Sequence, residues 1–208
     1  MTSLKLAGLL CSRLCHDLAG PIGALQNGIE LLSEDDDLAL REQALDLVAM
    51  ASTQAGRKLH FYRLVFGAGL GGGEQVASSE CRTALSDLLE GGRVTVRWDL
   101  PQADWPRTYG RLVLALTLLA AHALPRGGRL TVAQGSDAGG GIAVSCEGGG
   151  ARLEGATPIL VRGQGSVEDA ATPNEAVACL AGELSRECGL PVAIDEAPDR
   201  FTFLLRDG

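Results

Sequence analysis

The sequence predicts two domains of different class: an all-α helical hairpin over residues 1–70 and an α+β sandwich over residues 71–208. Three observations carry that prediction. Apolar residues recur at helical spacing through residues 2–66, the glycine-rich run FGAGLGGGEQ interrupts the chain at residues 66–75, and short alternating apolar runs appear only after it. The glycine run follows a helical pattern. A dinucleotide-binding loop must instead leave a strand and open a helix, so the run reads as a linker.

In the first helix Leu14, Leu18, Ile22, Leu25, Ile29 and Leu32 recur at intervals of four and three, which predicts one buried stripe. The stripe keeps phase across Pro21, so the helix is expected to bend there instead of stopping. An interior proline nonetheless loses a backbone hydrogen bond, at about 3 kcal/mol or more. SEDDD at residues 33–37 supplies turn and capping acids before the second helix. That helix sets Ala44, Val48, Ala51, Ala55, Leu59 and Tyr62 on one side, widened by Leu40 and Leu47. Two such helices expose too much apolar surface to stand alone, and pairing with a second copy into a four-helix bundle predicts a homodimer. Beyond the linker the patterns predict a helix near 75–90, a strand in RVTVRWDL and an apolar helix near 108–124. Strands in GRLTVAQ and GIAVSC, a helix in PNEAVACLAGELSREC and a closing pair LPVAIDE and FTFLLRD follow. Helices grouped beside a mostly antiparallel sheet make a sandwich.

Composition narrows the function classes. Hydrophobic residues make up 46% and charged residues 21%, values of a globular chain. A formal net charge of −8 argues against nucleic acid as a ligand, because phosphate backbones need a basic surface. The longest apolar run, LVLALTLLAAHALP, is too short for a membrane span, and the N-terminus makes a poor signal peptide. A cytoplasmic protein without membrane contact is expected. The six cysteines form no CxxC pair and read as thiols. Cys11, Cys15 and His16 find no second ligand pair at zinc spacing, so no metal site is expected.

The chemistry gathers around SRLCHDLAGPIGALQNGIELL, residues 12–32. At 100° per residue His16 lies about 200° from both Leu14 and Leu18, opposite the apolar stripe. Its side carries Ser12 and Arg13 one turn earlier, then Gly20, Gly23 and Asn27. Two mid-helix glycines cost about 1 kcal/mol each relative to alanine. On one reading this is an ordinary surface histidine, with glycines that admit a neighbouring helix. On the other, a bulky partner approaches His16 and the glycines clear its path. A neutral imidazole offers a lone pair near neutral pH, and Asp17 is the natural group to hold its other ring N–H. Elsewhere His60 suits a helix C-terminus, His122 a core or interface position, and Arg57, Lys58 and Arg63 a solvated face. Trp98 and Trp105 are expected to pack the sandwich.

HDLAGPIGAL, residues 16–25, resembles the H-box of histidine-kinase dimerisation and phosphotransfer domains: a histidine, an acidic residue, an apolar residue, two variable positions and proline. The resemblance implies that His16 carries the phosphoryl group, that Asp17 is its acid/base partner, and that Pro21 is the family's helix bend. It also implies that a receiver domain docks over Ser12, Arg13, Gly20, Gly23 and Asn27. The same family follows the hairpin with an ATP-binding sandwich, and residues 71–208 match its element order. LTLLAAHALPRGGRLTV has Ala121 at the position of the metal-holding Asn. IAVSCEGGGARL has Cys146 at the adenine-binding carboxylate. VRGQGSVEDAATPNE replaces the glycine-rich phosphate lid and brings Glu168 and Asp169.

A hairpin with a phospho-accepting histidine and a kinase-like domain without a nucleotide site resembles the bacterial histidine phosphotransferases. That family implies a relay from the receiver of a hybrid kinase of the CckA type to response regulators of the CtrA and CpdR types. It implies no cofactor of the chain's own, with Mg²⁺ supplied by the partner receiver. Many kinases carry Thr or Asn at the position of Gly20 to orient water, so weak dephosphorylation is expected. The alternatives are an active ATP-dependent histidine kinase and a non-catalytic dimeric adaptor that binds receiver domains.

Overall fold

The structure, a computed structural model, describes residues 2–34, 37–67, 73–135 and 141–206. Helices α1 (Thr2–Glu34) and α2 (Leu38–Phe66) form an antiparallel hairpin. α1 continues through Pro21, whose ring is buried. Asp37 caps α2 by accepting from the Ala39 amide at 2.9 Å, as the acidic turn predicted. The helices approach closely at Gly28, where an added Cβ would meet Val48 Cγ2 at 2.6 Å. The expected domain boundary at 70/71 lies outside the described residues.

The second region opens with β1 (Gln75–Ala77), α3 (Ser78–Leu89), β2 (Val94–Asp99), β3 (Asp104–Pro106) and α4 (Arg107–His122). It continues with β4 (Gly128–Gln134), β5 (Ile142–Glu147), α5 (Thr157–Val161) and a 3-10 turn at Val167–Asp169. α6 (Pro173–Cys188), β6 (Val192–Ala197) and β7 (Arg200–Leu205) complete it. The main sheet has the order β2-β4-β5-β7-β6. β2 and β4 are parallel because α4 carries the chain across between them, and the other neighbours are antiparallel. β1 and β3 pair separately as a short ribbon and displace the expected helix start from residue 75 to Ser78. Three-residue strands are too short to show a period, and α5 escaped the sequence reading for the same reason.

Burial alternates along the sheet. Leu130 and Val132, then Val144 and Cys146, then Phe201 and Phe203 turn inward, while the residues between them stay half-exposed. α4 lies over this face and is buried without interruption from Leu112 to Ala120. Trp105 stacks on Trp98 with ring centroids 6.0 Å apart, as expected of packing residues.

The hairpin stripe is covered only in part by its own chain, as the surplus of apolar surface predicted. Leu6 is buried, and Leu9, Leu10 and Leu14 pack against the second region. Further along, Ile22 and Ile29 are 45% and 55% exposed, and on α2 Leu45 and Met50 are also bare. Two helices cover only part of each other: Leu18, Leu25 and Leu32 are half-buried, while Ile22 and Ile29 stay exposed.

Candidate functional site

His16 stands on the outer side of α1 with its side chain 84% exposed. Its Nδ1 lies 3.0 Å from Asp17 Oδ1, so the neighbouring carboxylate does turn across to meet the ring. The other oxygen, Asp17 Oδ2, accepts from Arg13 Nε at 2.8 Å and from the Tyr62 hydroxyl. Partial burial alone would raise the Asp17 pKa. The hydrogen bonds to His16 and Tyr62 and the Arg13 charge outweigh it and bring the carboxyl down to about 2. Burial pushes the Tyr62 phenol up, and its bond to Asp17 adds to this over the opposing Arg13 charge. The phenol therefore stays a donor. An ionised carboxylate only accepts, so Nδ1 carries the imidazole proton and Nε2 keeps its lone pair toward solvent. Chemically, this is a nucleophile with a fixed counter-charge behind it.

Arg13 corrects the sequence reading. The docking strip was expected to include it, but Arg13 is only 5% exposed. Its guanidinium donates to Asp17 and also to Asn174 Oδ1 on α6 and His122 Nε2 on α4. Counting faces on an isolated helix misses this, because α4 and α6 close over that side of α1. His122 donates from Nδ1 to the Leu118 carbonyl at 2.9 Å and accepts from Arg13, which requires the neutral ring. The ring keeps solvent contact on one side, yet its enclosure on the others, and then the Arg13 charge, lower its pKa from 6.5. His122 is thus the interface residue the sequence suggested.

The remaining strip stays open. Ser12, Gly20 and Asn27 are exposed and Gly23 is half-buried. A Cβ built at Gly20 or Gly23 meets nothing within 4 Å, so no helix of the same chain occupies these positions. Lys58 is no solvated charge: its Nζ donates to the Asp17 carbonyl at 2.8 Å. Arg57 pairs with Glu90.

Behind His122 lies a cavity of about 450 Å³, lined in part by Leu119, His122, Arg152, Asn174 and Glu175. Leu119 and His122, three residues apart on one helical face, form the α4 wall of this space. Cys146 is buried in the sheet core, where enclosure pushes its thiol up to about 12. The chain entering α6 is tied down by a capping box, in which the Thr172 hydroxyl accepts from the Glu175 amide and the Glu175 carboxylate reaches back to the amides before the helix. One oxygen of Glu175 accepts from the Ala156 amide at 2.8 Å, and the other from the Ala171 and Thr172 amides at 2.9 Å each. Burial opposes ionisation of Glu175, but these donors lower its pKa. Glu168 pairs with Lys5 of α1 at 3.3 Å. Among the described residues no cluster of His, Cys, Asp and Glu could hold a metal, and no helix is long and apolar enough to cross a membrane.

Fold and site together define a class: a long helical hairpin displaying a histidine–aspartate pair with an exposed ring, docked to an α/β sandwich. Comparison with known proteins agrees. Residues 78–200 match the family described as the histidine phosphotransferase C-terminal domain. The protein phosphotransferase ChpT of Brucella abortus (strain 2308) is 33% identical over 138 residues, a match spanning 66% of this chain and 65% of that relative. A solved structure of a bacterial phosphotransferase superposes with a TM-score of 0.81 at 26% identity, covering 99% of this chain and 98% of that one. The chain belongs to the bacterial histidine phosphotransferase family.

Proposed function

We propose that the chain relays phosphoryl groups between receiver domains through His16. The imidazole Nε2 attacks the phosphorus of a receiver aspartyl phosphate in line. The N–P bond forms as the P–O bond to the receiver carboxylate breaks, and that carboxylate leaves as an anion. The ring keeps its Nδ1 proton and becomes a phosphorylated imidazolium, whose positive charge faces Asp17 Oδ1. Transfer to a second receiver runs the same steps in reverse. Catalysis then rests on alignment and on charges set in place before the reaction. The phosphate-side charge is handled by the divalent ion of the receiver, so this chain supplies nucleophile, counter-charge and docking surface.

The observation that carries this reading is the exposed His16 ring backed by a carboxylate fixed by Arg13 and Tyr62. The open strip of Ser12, Gly20, Gly23 and Asn27 is the proposed receiver contact, and donors and acceptors of the CckA, CtrA and CpdR types fit it. The bare apolar part of the hairpin supports a homodimer. The test is transfer from a pre-phosphorylated receiver: wild type becomes labelled and passes the label on, while His16→Ala does neither. Label on His16 from ATP and Mg²⁺ alone would replace this reading with the kinase, and normal relay by a folded His16→Ala dimer would replace it with the adaptor.

A further inference from the structure

α2 presents Lys58 and Tyr62, one helical turn apart, and both end on the same residue of α1. Tyr62 donates to the Asp17 side chain, and Lys58 donates to its main-chain carbonyl at 2.8 Å. That carbonyl is a particular one. In a regular helix the oxygen of residue 17 accepts from the N–H of residue 21. Residue 21 is proline, which has no N–H, so α1 itself leaves the Asp17 oxygen without its donor. A carbonyl so stranded tilts out of line or recruits another donor. Here the donor is an ammonium from the facing helix, and a charged donor makes a stronger bond than the amide it replaces. The bond sits on the backbone of the residue that aligns His16.

We propose that Lys58 is a positioning residue for phosphoryl transfer: it stands in for the N–H that Pro21 cannot supply and holds the Asp17 main chain, so that the carboxylate keeps the His16 ring aimed. The inference rests on the relay reading above. Lys58 acts through the carbonyl, not on the phosphoryl group, and that distinction makes it testable. Restoring the N–H at position 21 makes Lys58 dispensable.

The experiment measures single-turnover transfer from a pre-phosphorylated receiver to wild type, Lys58→Met, Lys58→Arg, Pro21→Ala and the Pro21→Ala/Lys58→Met pair, with His16→Ala as the blank. Circular dichroism confirms that each is helical. Lys58→Met is expected to slow the maximal transfer rate about tenfold, the scale of a modest misalignment. The half-saturating receiver concentration stays unchanged, because docking is intact. Lys58→Arg keeps a cationic donor and recovers most of the rate. In the Pro21→Ala background the same methionine changes the rate by less than about twofold, since alanine returns the missing donor. An unchanged rate in Lys58→Met, or an equal loss in both backgrounds, overturns the inference while leaving the relay intact. An equal loss would mean that the charge acts directly on phosphate. Failure of wild type to exceed the His16→Ala blank overturns the relay reading and this role with it.

Discussion

The hairpin and the sandwich treat their polar groups in opposite ways. In the sandwich, the buried polar group is satisfied from within: Glu175 spends its acceptors on the chain's own amides. The hairpin, behind its buried Arg13 and Tyr62, turns much outward: the His16 ring, a strip of small and polar residues, and leucines and isoleucines that one chain leaves bare. The contrast teaches where partners belong. A surface whose polar groups are satisfied internally has little to offer a ligand. A surface that gives up helix propensity at Gly20 and Gly23 with nothing of its own chain to fit there is shaped for something else.

Substitutions break or sharpen this contrast. The largest effect is expected from Asp17→Ala. It removes the counter-charge behind His16 and should slow transfer about a hundredfold in the same receiver assay. It also leaves the Arg13 guanidinium buried beside Tyr62 with one partner fewer, so the thermal transition should fall too. Next come paired truncations, one in each region. Leu116→Ala, at a fully buried site of α4, should lower unfolding free energy by about 3 kcal/mol at any protein concentration. Ile29→Ala, half-exposed in one chain, should instead weaken the proposed dimer, read as a concentration-dependent shift in sedimentation. Glu175→Ala should cost about 2 kcal/mol by freeing three amides, measured by denaturant unfolding.

Gly20→Ala should do the reverse. With no atom in its way it should stabilise the protein by up to about 1 kcal/mol and yet slow transfer several-fold, because the methyl group enters the receiver's path. The smallest effect is the pH response of His122. Its pKa is lowered in the fold, so below the ordinary 6.5 the unfolded chain binds more protons than the folded one. Stability therefore falls as pH drops below that value. The slope stays well under the one-proton limit of about 1.4 kcal/mol per pH unit, because the ring keeps solvent contact. His122→Ala should flatten it, as followed by thermal unfolding across pH 5 to 8 (roughly one and a half units either side of the ordinary imidazole value).

Much of this was legible in the sequence because it is periodic or local. The two long helices, the five longer strands and the outward aim of His16 all follow from spacing. So does the Asp37 cap. TPNE, residues 172–175, carried a readable capping signal that foretold the Glu175 bonds and went unread. What stayed hidden was tertiary. Nothing in the neighbourhood of Arg13 announces that α4 and α6 will bury it. Nothing near Lys58 says that a proline on another helix has left a carbonyl for it. The bare part of the stripe was legible only in outline: a period shows which residues share a face, but not which of them the same chain covers.

One guanidinium joins α1, α2, α4 and α6 at Arg13. Its consequence is genetic as much as mechanical. Alleles that silence signalling should turn up at positions 13, 62, 122 and 174, which are scattered through the gene and lie away from the open strip of Ser12, Gly20 and Asn27, with 13 and 62 buried outright. A screen that looked only for the footprint of a receiver would overlook them.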